Sequence, residues 1–184
     1  MVIEEEAFVQ LQKFQIKNIR KNPSRFIQLI GKDGSGCRRV LFSLLPSASK
    51  NLVWLSPQWN IDAPLLWQLA HDRGLQLLGV ECPERQRYRI LWRELYASQS
   101  FDVWILDNLK LKEAEVCFLQ QLLRHSKICL IFIEAYPLSS CQERIHVQLS
   151  HHRYKVWWSK GGLLKPQYFS ADYLELVRTN KCLP

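Results

Sequence analysis

Apolar runs of strand length alternate with segments of helical pattern along most of this chain. The runs lie at residues 25–30, 51–55, 75–80, 101–107 and 128–133, and the predicted helices lie at residues 38–46, 62–72, 84–98 and 111–125. Strands that are apolar almost throughout are typical of a parallel sheet with helices on both faces. The pattern therefore predicts a three-layer α/β domain with a mostly parallel sheet.

The segments on either side of this alternation divide the chain into three regions. They are an N-terminal helix or arm at residues 1–24, the α/β domain at residues 25–160, and a C-terminal extension at residues 161–184. Late in the domain, residues 140–152 are predicted as a short helix or irregular segment, and residues 154–158 as an edge strand that could run antiparallel. A further helix or strap is predicted at residues 171–178.

Composition narrows the class of partner. The 184 residues include 25 Lys and Arg against 17 Asp and Glu, which gives a formal net charge of +8. A polyanion or an acidic protein surface is an electrostatically favourable partner for such a chain. The basic residues are scattered, however, so a generally basic and solvated surface explains the charge equally well.

Neither a membrane span nor a metal site is indicated. No apolar run approaches the roughly 20 residues that span a bilayer, and residues 4–6 are acidic, so a cytoplasmic protein without a membrane partner is expected. The cysteines occur singly, without the paired spacing of metal ligands. All six are therefore predicted to be small buried apolar side chains: Cys37, Cys82, Cys117, Cys129, Cys141 and Cys182.

The segment after the first strand has the order of a phosphate-binding loop. A strand is followed by a turn with Gly31, Gly34 and Gly36 and then by a helix, as in the pattern G-x-x-x-x-G-K-[ST]. That pattern needs a lysine for the phosphates and a hydroxyl for magnesium, and Cys37 and Arg38 hold those positions here. The segment is therefore predicted to be a degenerate phosphate loop, without cofactor or catalysis. A still-active nucleotide-binding enzyme is the less favoured alternative.

The strand at residues 101–107 ends in an acidic residue, Asp107. In folds that bind nucleoside triphosphates, an acidic residue at such a strand end helps to hold magnesium. Because the loop lacks its lysine and hydroxyl, Asp107 is predicted to be a relic of this site. Glu134 ends the neighbouring apolar run, and a hydrolase-like pair with Asp107 is less favoured than relic geometry.

Together these features resemble the RecA-like core of the P-loop nucleoside triphosphatases. Within that superfamily the sequence is most similar to the SulA cell-division inhibitors. Residues 54–58, Trp-Leu-Ser-Pro-Gln, resemble their W-L-[ST]-P-Q segment. Residues 104–115 resemble the stretch in which a strand ends in acidic residues before a Glu-rich helix, and residues 148–150 match a Gln-Leu-Ser tripeptide.

The resemblance to SulA implies a non-catalytic protein of the DNA-damage (SOS) response. Such a protein binds FtsZ one-to-one, blocks its polymerisation and thereby inhibits septation, and Lon protease is its implied route of turnover. The implied binding positions are Lys50, Leu55 and Trp67. Trp59, in the loop after the strand, is also expected to be exposed, whereas Trp54 is expected in the core.

The ImuA proteins are a close rival for the resemblance. Residues 34–46 resemble their degenerate Gly-rich loop and Leu-rich helix, and residues 156–162 resemble their late basic strand that runs into Gly-Gly. This alternative implies an accessory protein of translesion DNA repair that binds RecA, a Y-family polymerase or DNA. The aromatic and basic residues at 153–160 suit single-stranded DNA, but an edge strand that packs its Trp pair inward explains them nearly as well.

Overall fold

A computed structural model of the chain describes residues 26–31, 36–45, 50–58, 63–71, 74–82, 84–150, 153–160 and 166–170. The strands in these ranges are β1 (Phe26–Ile30), β2 (Asn51–Ser56), β3 (Gln76–Glu81), β4 (Val103–Asp107), β5 (Cys129–Glu134), β6 (Glu143–Ser150), β7 (Arg153–Lys160) and β8 (Gln167–Ser170). The helices are α1 (Cys37–Leu44), α2 (Ala63–His71), α3 (Tyr88–Ser98) and α4 (Glu113–Leu123), and a 3-10 turn at Arg85–Arg87 precedes α3.

The described strands form one sheet in the order β3-β2-β4-β5-β1-β6-β7-β8. Neighbours from β3 to β6 pair in parallel, whereas β7 is antiparallel to both β6 and β8. Helices α1 and α2 contribute to the core on one face of the sheet, and α3 and α4 contribute to the core on the other. The prediction of a three-layer α/β domain with a mostly parallel sheet is confirmed.

Burial explains why the central strands are apolar throughout. Every residue of β4 and β5 is buried, because each strand has hydrogen-bonded neighbours on both sides and helices over both faces. Helix α3 buries Tyr88, Trp92 and Leu95, as its spacing predicts. In α4, Val116, Leu119 and Leu123 form the buried stripe, and the prediction that Cys117 is buried is wrong, because it lies on the exposed side.

Two predictions about the last part of the domain are wrong. Residues 143–150 form strand β6, not a helix or an irregular segment, because their backbone pairs in parallel with β1 and buries Ile145 and Val147. Strand β7 runs antiparallel, but it is not an edge strand, since residues 167–170 pair along its outer side. The sheet therefore extends further than the sequence pattern predicts.

The predictions about the cysteines and about the chain termini have different outcomes. Four of the cysteines are buried as expected, namely Cys37, Cys82, Cys129 and Cys141, whereas Cys117 is exposed. No helix within the described ranges is long and apolar enough to cross a membrane. The predicted N-terminal arm, the strap at 171–178, Gly34, Trp59 and Cys182 lie outside the described residues.

Candidate functional site

Helix α1 follows β1 in the chain, and its first turn reaches the carboxyl end of β4, where Arg38 contacts Asp107. Gly36 has a left-handed backbone conformation (φ 80°, ψ 15°) and caps the amino end of α1. Its carbonyl oxygen accepts a hydrogen bond from the Val40 amide at 3.0 Å, which closes the first helical turn. The strand before the loop and the helix after it are therefore in place, with Gly31 and Gly36, the two loop glycines that are described, at their facing ends.

Arg38 makes a two-bond ion pair with Asp107. The Arg38 Nε atom lies 2.7 Å from Asp107 Oδ2, and Nη2 lies 3.3 Å from Oδ1. Asp107 is only 1% exposed, while the Arg38 side chain is 42% exposed. The guanidinium therefore neutralises a buried carboxylate from the solvent side of the site.

Trp54 supplies a third hydrogen bond to the same carboxylate. Its indole Nε1 donates to Asp107 Oδ2 over 3.1 Å, and its ring stacks on Phe42 of α1 with the centroids 6.1 Å apart. Trp54 is fully buried, which confirms that it belongs to the core. Its hydrogen bond to Asp107 was not predicted, although a buried indole N–H regularly needs an acceptor.

This arrangement does not fit a magnesium-bound nucleotide. In P-loop enzymes the hydroxyl that follows the loop lysine and the acidic strand end hold the magnesium ion together. Here Arg38 occupies the hydroxyl position in the sequence pattern, and its own cation contacts Asp107 directly. Cys37, at the lysine position, is buried and carries no positive charge for a phosphate. The side chain of Arg38 thus stands where the metal would be bound.

Tyr154 packs directly against the loop. A Cβ atom added to Gly36 would lie 2.1 Å from Cε1 of the Tyr154 ring, well inside contact distance. Tyr154 comes from β7, is 2% exposed, and belongs to the same core cluster as Cys37 and Val40. The amino end of α1 is therefore sealed by a buried aromatic ring from a distant part of the sheet.

Glu134 ends the strand beside Asp107, but it faces the other side of the sheet. It alternates with Leu130 and Phe132, whose core cluster lies under α3 and α4, whereas Asp107 alternates with Val103 and Ile105 on the α1 side. The two carboxylates therefore do not lie together on one face of the sheet.

The Glu134 carboxyl is buried and only partly satisfied. Oε1 accepts a hydrogen bond from the Lys110 amide at 2.9 Å, and Oε2 has no hydrogen-bond partner among the described residues. Burial raises the pKa of Glu134 to about 7, and the charge of Asp107 adds to this effect, while the backbone amides of Lys110 and Leu111 oppose it. A larger share of this carboxyl is thus protonated at neutral pH than of a solvent-exposed glutamate.

The residues implied for FtsZ binding differ in their accessibility. Lys50 is exposed, and its backbone is fixed by hydrogen bonds from its amide to Asp102 Oδ2 and from the Gln76 amide to its carbonyl oxygen. Trp67 on α2 is 48% exposed, whereas Leu55 is fully buried and presents no surface to a partner. Lys50 and Trp67 flank the edge strand β3, whose Leu78 is also exposed.

Comparison with known proteins identifies the fold. No model of a known protein family matches the sequence, and no curated protein matches it. Among solved structures, the chain is similar to one described as "Crystal structure of the RadB recombinase", with a TM-score of 0.62 and 14% sequence identity. The match covers 78% of this chain and 86% of that chain. At this identity the likeness concerns the fold alone, and the chain has a RecA-like α/β fold.

Proposed function

We propose that this protein is a non-catalytic RecA-like scaffold that inhibits cell division by binding FtsZ and blocking its polymerisation. The proposal that the protein is non-catalytic rests on one observation, the Arg38–Asp107 ion pair. Arg38 Nε lies 2.7 Å from Asp107 Oδ2. An internal cation already neutralises the acidic strand end that would bind magnesium, and this supports a protein that acts by binding a partner. The partner comes from the resemblance of residues 54–58 to SulA.

Exposed aromatic and apolar side chains mark the surface that suits a protein partner. Trp67 and Leu78 are both more than 40% exposed, on α2 and the edge strand β3. Leu78 pairs in register with Val53, which lies in the core under α3 and α4, so the two side chains reach solvent on opposite faces of this edge of the sheet. A tryptophan that becomes fully desolvated in an interface is among the side chains that contribute most to binding energy. Lys50, immediately before β2, adds a positive charge that would steer an acidic partner towards this edge of the sheet. We therefore place FtsZ on the unit formed by β2, α2 and β3.

Light scattering of FtsZ with GTP tests this proposal. We expect the protein at equimolar or higher concentration to suppress polymerisation, and Trp67→Ala to need about 10- to 30-fold more protein for the same suppression, since loss of such an anchor costs about 1.5–2 kcal/mol. Tyr168→Ala removes an aromatic ring that is more exposed than Trp67, at the opposite edge of the sheet, and this variant should suppress polymerisation as the unaltered protein does. Normal polymerisation at a several-fold excess of protein would contradict the FtsZ assignment.

A second candidate is an accessory role in translesion DNA repair. It is supported by the rings of Trp157 on β7, which is half-buried, and Tyr168 on β8, which is exposed, since Lys155 Nζ lies 5.4 Å from the first ring centroid and 6.0 Å from the second. A basic surface with accessible rings suits nucleic acid better than it suits FtsZ. Co-purification of the protein with RecA or with a Y-family polymerase, together with no effect on FtsZ, would favour this candidate over division inhibition.

A further inference from the structure

One face of the sheet beyond β1 presents a continuous set of polar and aromatic side chains. Alternate residues of β6 and β7, including Ile145, Val147, Tyr154, Val156 and Trp158, point into the core beside α1. The residues between them point to the opposite face, and these are half-buried or exposed. The core cluster on that opposite side, under α3 and α4, includes no described residue of β6, β7 or β8. We call this outer side the β6–β8 face.

Aromatic rings and a lysine form a row across this face. The His146 and Trp157 rings stack with their centroids 5.0 Å apart and their planes at 11°. Lys155 lies next to Trp157 on the same strand, and its Nζ atom also reaches over the ring of Tyr168, which is 62% exposed on β8. The two tryptophans at 157 and 158 therefore do not both pack inward. Trp158 lies in the core, and Trp157 is half-buried on the opposite face of the sheet.

The charge of the β6–β8 face is positive. Its described members on β6 and β7 include Arg144, Arg153 and Lys155, and no acidic residue alternates with them. Glu143 belongs to the opposite face, because it pairs in register with Ile27, which lies in the core beside α1. Burial and the nearby Arg144 lower the pKa of His146, so its imidazole is neutral at neutral pH and acts as a ring, not as a cation.

We propose that the β6–β8 face binds single-stranded DNA, with bases stacked on Trp157 and Tyr168 and the backbone phosphates beside Lys155 and Arg153. Rings that accept any base, interleaved with cations, are the two elements of sequence-tolerant single-strand binding. The bases of a duplex are stacked on each other and are not available to such rings. The hydroxyl of Ser159 already pairs with His146 Nε2 at 2.8 Å, so rings and cations remain as the principal contacts. None of these contacts needs a sugar 2′-hydroxyl, so DNA supplies every group that the proposed site recognises, and comparison with RNA belongs to the test.

This inference rests on the second candidate function, whose nucleic-acid ligand it specifies, and it does not depend on inhibition of FtsZ. Fluorescence anisotropy of a labelled 20-nucleotide poly-dT strand with the full-length protein tests it at several salt concentrations. We expect Trp157→Ala and Tyr168→Ala each to weaken binding by about 5- to 150-fold, and Trp157→Phe, which keeps a ring, to retain most of the affinity. Lys155→Ala should reduce the slope of log affinity against log salt by about 0.7, the amount for one phosphate contact on a single strand.

Trp67→Ala is the matched control, because it removes an exposed tryptophan from the other end of the sheet and should leave the affinity for poly-dT unchanged. Tyr168 is a surface residue on an outer strand, so Tyr168→Ala should fold even if Trp157→Ala does not. No binding by the unaltered protein at low salt would overturn the proposal, as would an affinity in both ring-removing variants equal to that of the unaltered protein. Tighter binding of a duplex or of poly-U RNA would overturn the assignment to single-stranded DNA. The FtsZ assay is independent, so either proposal can fail alone.

Discussion

Arg38→Ala is expected to lower the free energy of unfolding by about 2–4 kcal/mol, because it leaves Asp107 charged, buried and without its cation. The carboxylate would keep one side-chain hydrogen bond, from the Trp54 indole at 3.1 Å. The partial exposure of Arg38 places the loss below the upper end of what breaking a fully buried ion pair costs. Chemical denaturation of the purified variant at neutral pH measures it.

The control for this prediction is a second arginine with an ion pair at the surface. Arg87 pairs with Glu84 at 2.7 Å, and both side chains are more than half exposed. Arg87→Ala should therefore cost no more than about 0.5–1 kcal/mol. The double variant Arg38→Ala, Asp107→Asn should recover part of the stability, since the stranded charge is removed with its partner. An Arg38→Ala protein as stable as Arg87→Ala would contradict the role assigned to the ion pair.

Gly36→Ala is expected to lower the free energy of unfolding by about 2–5 kcal/mol. The new Cβ would lie 2.1 Å from the Tyr154 ring, which is buried and cannot swing into solvent. Forcing an extra methyl group into a packed site costs about 1–3 kcal/mol, and the left-handed backbone at Gly36 adds about 1–2 kcal/mol for any residue with a Cβ. Denaturant or thermal unfolding measures the sum.

Gly74→Ala separates the two contributions to that loss. Gly74 also has a left-handed backbone, with φ +65°, but no atom lies within 4 Å of the position of an added Cβ. Gly74→Ala should therefore show only the backbone cost of about 1–2 kcal/mol. The difference between the two variants measures how tightly Tyr154 seals the amino end of α1. Equal losses in the two would show that the Tyr154 contact is not rigid.

Local pattern predicted the first five strands and four helices because each has its own signature. A strand buried on both faces is apolar throughout, and the helices between such strands show one buried stripe. Strand β6 was missed because its sequence mixes charged residues with Ile145 and Val147. Its status as a strand depends on pairing with β1, more than 100 positions earlier in the chain, and that partner cannot be read from a local window.

The candidate site was predicted in part. The loss of the loop lysine and hydroxyl is visible at Cys37 and Arg38, and Asp107 is visible as an acidic strand end. The contact between Arg38 and Asp107 is not visible in the sequence, because the two residues lie 69 positions apart and meet only when α1 packs beside β4. The contact of the Tyr154 ring with Gly36 could not be predicted from the sequence either. Nor could the burial of Trp158 in the core while Trp157 is half-buried on the other face of the sheet.

ATP turnover in the presence of magnesium tests most directly whether Arg38 has replaced the metal. We expect the unaltered protein to release phosphate from ATP no faster than the buffer does, and Asp107→Asn to leave that background unchanged. Turnover above background that Asp107→Asn abolishes would contradict the proposal, because it would require a metal ion on the carboxylate to which Arg38 is now bound.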